Sequence, residues 1–456
     1  MIILMLAFVV GIACAAYAEV QNVKVSGDLT VYGVMRETAI KNDNQQAIYS
    51  VDKSQFLASI TRVRIDADLT DNVMTTVRLL NERYWGHEVA DSSGADTDTD
   101  ISLDLALVTM KEFLYSPLTL TIGRQELHFG NDMIVGDPDT NNQVSTASAF
   151  TSTDDADLSA RKAFDAIRAT LNYDPLVVDV VMAKVQENGK KTDDDVTLYG
   201  INANYALSKT TTLEGYWFAK HEARKNFELP GGGAATTETG KVRRTDTIGG
   251  RVVTKPADKI TYQLEAAYQF GKYNDAAVTD DSNRRRAWAL ETAVAYDFKG
   301  RRFNPTAMLS YAYFSGDSSD HVNTANKDYR GWDPMFENQK SGDIANAQFD
   351  QTNVHIIGVA GTMKPVEDVT LKGEYFSYWW AKAFKDGTTS TTRRGDPFKM
   401  THKRFAAQEI DLTATYDYTE DVQFGLLTGV LIPGTAFDND YRNTATEVIG
   451  SMKVTF

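Results

Sequence analysis

The chain has 456 residues, a formal net charge of −15 at pH 7 and 24% charged residues, so its length allows two or three domains or one large all-β domain. Tyr and Phe number 21 each against 10 Pro, a balance that suits many strands and argues against a disordered chain. No nucleic-acid partner is expected of so acidic a protein.

In chain order, the first eighteen residues, MIILMLAFVVGIACAAYA, carry no charge and end in Ala16-Tyr17-Ala18, an A-x-A cleavage pattern. They predict a signal peptide over 1–18, although no basic residue precedes the apolar run. An N-terminal membrane anchor is the alternative. The single cysteine, Cys14, falls in this segment, so the mature chain 19–456 has no disulfide and must rest on an extensive hydrogen-bonded core. Beyond residue 18 no run approaches the roughly 18 apolar residues of a membrane helix. The mature chain is therefore soluble, or it crosses a membrane as strands, because a closed barrel satisfies its backbone in lipid without a continuous apolar run.

The strand signal begins with TRVRIDADL (61–69), which puts Val63, Ile65, Ala67 and Leu69 on one face and Arg62, Arg64, Asp66 and Asp68 on the other. In LTLTIGRQELHFGND (118–132), Leu118, Leu120 and Ile122 share one parity, whereas Leu127 and Phe129 take the other. A slip of one residue at Gly123 reads as a β-bulge that turns Arg124, Glu126 and His128 to the polar side. The alternative ends the strand at Gly123. ITYQLEAAYQF (260–270) and WALETAVAYDF (288–298) alternate cleanly, with Gln263, Glu265, Gln269 and Glu291 opposite the apolar row. VIGSMKVTF (448–456) alternates to a terminal phenylalanine. Charge on one face and apolar bulk on the other would turn a soluble sandwich inside out, but it suits a barrel with lipid outside and water within.

The connections have their own rhythm. Short turns such as LTDNV (69–73), YDPL (173–176), ALSKTT (206–211) and MKPVED (363–368) alternate with long polar stretches such as 39–53, 90–100, 227–241 and 317–348. Tight periplasmic turns and long external loops give this alternation in an outer-membrane barrel, here of about 18 antiparallel strands with both termini periplasmic.

LTIGRQELHFGND, together with RVRIDADLTDNVMTTVRLLNE (62–82) and YAYFSGD (311–317), resembles the bacterial alginate-export family of outer-membrane barrels. The resemblance spans essentially the whole mature chain and implies eighteen strands around a channel lined with arginines. It departs at YRGWDPMFENQ (329–339), where that family is expected to carry a segment rich in Phe and Pro.

Projected inward, Arg36, Arg62, Arg64, Arg78, Arg124, Arg168 and Arg251 are candidate lumen cations, and Asp66, Asp68, Glu126, Glu214, Glu265, Glu291, Glu374, Glu409 and Asp411 candidate lumen anions. Arginine suits a carboxylate ligand because its planar fork donates two parallel hydrogen bonds. The plainer alternative is that these charges pair across strands and merely solvate the wall. Asp96, Asp98 and Asp100 are weak calcium candidates, and Arg284-Arg285-Arg286 opens a strand where it could meet anionic lipopolysaccharide or an anionic solute. The six histidines are scattered, with no HExxH, and no GxSxG occurs, so no enzyme is expected and no cofactor is called for. The expectation is a monomeric outer-membrane channel, in contact with lipid and lipopolysaccharide. It would pass an anionic or polar saccharide passively, with periplasmic partners if the flow is export. A general or nutrient-uptake porin is the alternative.

Overall fold

A computed structural model describes residues 22–37, 53–86, 101–138, 156–187, 195–222, 243–273, 284–317, 328–393 and 397–456. The expected signal peptide over 1–18 and the aspartates at 96, 98 and 100 lie outside the described residues. In chain order the strands are β1 (Asn22–Glu37), β2 (Lys53–Thr70), β3 (Val73–Tyr84), β4 (Ser102–Met110), β5 (Leu118–Glu126), β6 (Ala163–Asn172), β7 (Leu176–Gln186), β8 (Val196–Ser208), β9 (Thr211–Glu222) and β10 (Arg243–Ala257). They continue with β11 (Ile260–Lys272), β12 (Arg284–Asp297), β13 (Thr306–Phe314), β14 (Val354–Val366), β15 (Val369–Trp380), β16 (Thr389–Thr391), β17 (Pro397–Lys399), β18 (Phe405–Asp417), β19 (Val422–Pro433) and β20 (Ala445–Thr455). A short helix, α1 (Asp343–Gln348), precedes β14.

Eighteen of these strands form one antiparallel sheet, each paired with the next, while β16 and β17 make a separate small hairpin. β15 pairs with β18 across that hairpin, and β1 pairs with β20 to close the barrel, leaving no free edge. The expected eighteen-strand barrel is thus the observed architecture, and connections shorter and longer alternate around it. Asp28 lies opposite Thr455, so the start of β1 and the end of β20 share the end of the barrel that carries the short turns.

Period-2 alternation explains the two faces. Val25, Ile65, Leu309, Val359 and Leu412 stand on outward rows, the last of them 57% exposed. Left in water, each would forgo on the order of 1 kcal/mol of burial, a cost that recurs around the ring and is removed by hydrocarbon. The apolar core lies inside the barrel instead. Parts of the long connections turn inward there and pack Leu127, Met133, Ile134, Met335, Phe336 and Phe437 against wall residues such as Phe164, Phe218 and Phe376. The segment at 317–348, expected as an external loop, therefore contributes its described part 328–348 to the interior. Its Trp332, Met335, Phe336 and Ile344 follow no strand period, so nothing local in the sequence marks them as buried.

Candidate functional site

One inner wall, β1 to β4, gathers three of the candidate arginines. Asp28 and Arg62 are register partners, and Arg62 donates through Nε to Asp28 at 2.9 Å. Two residues along β2, Arg64 donates through Nε and Nη2 to Asp66 at 2.7 and 2.9 Å. Arg64 lies directly opposite Arg78 on β3. The register shifts between β3 and β4 at Arg78/Leu79, so both Asp104 and Leu105 are buried on the inner side. That irregularity brings Asp104 to Arg78 at 2.5 Å, and Arg78 also bridges to Glu126. Further round, Arg168 donates to Asp179 at 2.8 Å and lies over the Phe129 ring, with 5.4 Å to its centroid. Arg251 lies 3.7 Å from both Glu214 and Glu265. Arg36 is buried between Glu447 at 3.0 Å and Asp157 at 2.6 Å.

Every one of these arginines meets a carboxylate, yet they do not end alike. Arg62 and Arg168 engage their acids through Nε, which leaves their terminal nitrogens without a hydrogen-bond partner among the described residues. The side chains of Arg62, Arg64 and Arg168 keep 24%, 42% and 30% of their surface open, whereas that of Arg78 keeps 10%.

Arg124 departs from expectation. It stands in unbroken register with Ala106 on one side and Asp165 on the other, in the row of Leu118, Leu120 and Ile122. Its ion pair, at 3.3 Å, is with Asp165, whose side chain is largely exposed while the flanking Phe164 and Ala166 are buried in the interior. Arg124 is therefore on the outward face near the rim, and there is no bulge at Gly123. The glycine has a φ of 122°, a conformation that brings its backbone against Ala106 and Leu107 where no Cβ would fit. The apparent change of phase has another source: β5 ends at Glu126, and the chain then turns into the barrel, carrying Leu127 and Phe129 into the core.

Acids on β9, β11, β12 and β18 hold the inward segments. Glu214 accepts from the Gly130 N–H at 2.9 Å and Glu265 from the Asn131 N–H at 3.0 Å. Glu291 accepts from the Gln339 side chain at 2.7 Å. Glu409 accepts from the N–H groups of Ile344 and Ala345 at 2.7 and 3.0 Å, and so caps α1 from the strand wall it packs against. The sequence projects these carboxylates as lumen charge; in the structure Glu214, Glu265 and Glu409 accept from backbone N–H groups of the inward segments, and Glu291 accepts from side-chain amides of the same segments.

Between the inward segments and β11 to β15 lies a cavity of about 520 Å³, lined among others by His128, Asn131, Gln263, Ser310, Gln339 and Lys340. The Asp132 carboxylate, 3.1 Å from the His128 ring and hydrogen-bonded to it, raises the imidazole above its usual range against the opposing effect of burial. Burial works against the charge on Lys340, but Asp343 at 2.5 Å more than offsets it and holds the ammonium up. Lys340, Gln339 and Asn131 are site residues that sequence reasoning missed. They sit in stretches without periodicity, and only the fold brings them to the lumen.

The triple arginine at 284–286 divides by parity. Arg285 is buried, donates to the Gly331 carbonyl at 2.8 Å, and lies over the rings of Tyr273 and Tyr329, each with 5.2 Å to its centroid. With Lys220, it holds Asp333 far below the usual carboxylate range despite burial, which pushes the other way. Arg284 and Arg286 are exposed. Among the described residues no cluster of His, Cys, Asp and Glu is arranged to hold a metal.

A family model described as alginate export matches residues 29–451. No curated protein matches the chain. Solved structures similar to it in fold include three proteins of Pseudomonas aeruginosa. OpdQ shares 12% identity at a TM-score of 0.54, covering 96% of this chain and 99% of that one. OpdL shares 11% at 0.55, covering 95% and 99%. OpdF, solved in complex with glucuronate, shares 9% at 0.55, covering 96% and 99%.

Proposed function

The chain belongs to the alginate-export family and is an outer-membrane β-barrel channel, and from that premise we propose that it passes an anionic or polar saccharide by passive diffusion past Arg62, Arg64 and Arg168. The observation that carries this reading is the set of open guanidinium edges on β2 and β6. Such edges donate in pairs to a sugar carboxylate or to vicinal hydroxyls. Net charge does not carry it. Arg62, Arg64 and Arg78 stand against Asp28, Asp66, Asp104 and Glu126, three cations to four anions, so selection falls to directed N–H donors rather than to a strongly positive field. The solved complex of OpdF with glucuronate, a sugar carboxylate, is in keeping with such cargo on the same fold. The protein works as a monomer in this reading, and the direction of flow depends on which side supplies the solute.

A second reading, uptake of small polar nutrients, is favoured by the inward segments. They leave a cavity of about 520 Å³, a size suited to one or two sugar rings.

Current block in a planar bilayer tests the proposal. Uronate oligomers are expected to block the wild-type channel with longer residence than neutral oligomers of equal length. Arg62→Gln with Arg64→Gln should shorten that residence at least about tenfold, since charge-assisted hydrogen bonds contribute about 1.5–3 kcal/mol each. Equal block by both oligomers, unchanged in the double variant, would leave only the nutrient-porin reading.

A further inference from the structure

The outward rim of β10, β11 and β12 carries a row of cations that the channel reading does not use. Arg244 is the register partner of Lys272, and Lys272 of Arg284. Arg286 stands one outward position further into the same sheet, opposite Phe270. With neighbouring strands about 4.8 Å apart, the three in the row span roughly 10 Å. All four share parity with exposed apolar residues: Ile248 on β10, Phe270 on β11 and Trp288 on β12. Tyr268 and Trp288 are register partners with ring centroids 4.3 Å apart, and they form an aromatic shelf just below the cations. The long connections 223–242 and 273–283 join these strands at this end, which makes it the external one.

Alternation separates two uses of the basic residues here. On the inward parity, Arg243 and Arg285 lie over Tyr273, with 5.1 and 5.2 Å to its centroid. On the outward parity, Asp246 takes Arg244 at 2.6 Å and Asp328 takes Arg286 at 3.2 Å. Lys272 and Arg284 have no ion pair among the described residues, and both are exposed. Deeper in the wall, in register with Leu290, β13, β14 and β15 present Tyr313, His355 and Trp379, a row with no Lys or Arg. A cationic row on one sector of a chain of net charge −15, above aromatic side chains that face lipid, complements an anionic headgroup at the membrane surface.

We propose that Lys272, Arg284 and Arg286, with Arg244 at the edge, form a binding site for the phosphorylated headgroup of an outer-leaflet glycolipid. The cations hold the phosphates, and Phe270, Tyr268 and Trp288 pack on the acyl chains below. The site is on the outside of the barrel and does not depend on what passes through it.

The test uses the whole mature protein, extracted in mild detergent and washed free of lipid. It is titrated with lipopolysaccharide, with the same lipopolysaccharide after enzymatic removal of its phosphates, and with inorganic phosphate, and binding is read by native mass spectrometry. Wild type should retain the phosphorylated glycolipid, and the dephosphorylated one at least about tenfold more weakly. Lys272→Gln, Arg284→Gln and Arg286→Gln combined should weaken the phosphorylated form by a similar factor, with heat-shifted gel mobility and conductance as in wild type. If the triple variant loses that mobility, Arg284→Gln alone decides, with a weakening of about threefold or more. Wild-type affinity in the deciding variant, or equal binding of the dephosphorylated glycolipid, overturns the site. Displacement of the glycolipid by millimolar inorganic phosphate would assign the cations to a free anion and overturn the lipid assignment.

Discussion

Arg78 shows how a single side chain ties the inner wall together. It bridges Asp104, whose side chain is 2% exposed, and Glu126, which keeps 35% open. Arg78→Ala strands Asp104 in a site with almost no water, and an uncompensated buried charge costs about 3–5 kcal/mol. The temperature at which the folded gel band converts to the unfolded one should fall accordingly. Arg78→Leu together with Asp104→Leu should recover most of the loss; a double variant as unstable as the single would show that packing, and not the ion pair, matters there. His128 carries a second prediction at this scale. Its hydrogen bond to Asp132 raises its folded pKa, so the pair stabilises the inward segment fully below about pH 6.5, and that contribution fades as pH rises through the folded value. Its imidazole should titrate above 6.5 by NMR, and Asp132→Asn should bring the midpoint down. A midpoint unmoved by that change would separate the two groups.

At the scale of elements, α1 has six residues, too few to be stable alone, and its N-cap is Gly342 with a φ of 86° and no side-chain cap. Glu409 on β18 supplies the missing acceptor. Glu409→Ala leaves two N–H groups in the lumen without it, so α1 should loosen and the single-channel conductance should rise and become noisier. Glu409→Gln keeps one acceptor oxygen and should fall between. Conductance identical to wild type in both would mean that α1 does not narrow the path. The strands and the order of short and long connections were legible from the sequence, since period 2 and turn chemistry are local properties. The inward turn of 328–348 was not, because its apolar residues match a surface that exists only once strands from β6 to β19 have closed around them.

For the whole molecule, closure is what makes the barrel possible in lipid. Removing 445–456 deletes β20 and exposes the edges of β1 and β19 together, whose backbone groups would then lack partners in hydrocarbon. The truncated chain should fail to reach the heat-shifted folded form, and its recovery as a stable membrane-inserted band would contradict closure through β1 and β20. Selectivity also belongs to this scale. The overall charge of −15 acts weakly at the narrowest part, because fields in about 0.1 M salt decay over about 10 Å. Arg62→Glu with Arg64→Glu should therefore move the reversal potential toward cations, and less so at high salt; an unchanged potential would place the narrowest part away from β2.

By itself the sequence determined the barrel, its strand number and the inward rows of β2, β3, β11 and β12, because side-chain alternation in a strand needs no knowledge of the neighbours. Which partner each inward charge meets was decided only by the tertiary structure. Arg36 reaches Glu447 and Ala345 reaches Glu409, contacts separated by 411 and 64 residues, and no local pattern encodes such distances. Arg124 belongs to the same class. Its side was set at a glycine, where the backbone could run on either phase, and the register of β4 and β6 on its two flanks turned it outward.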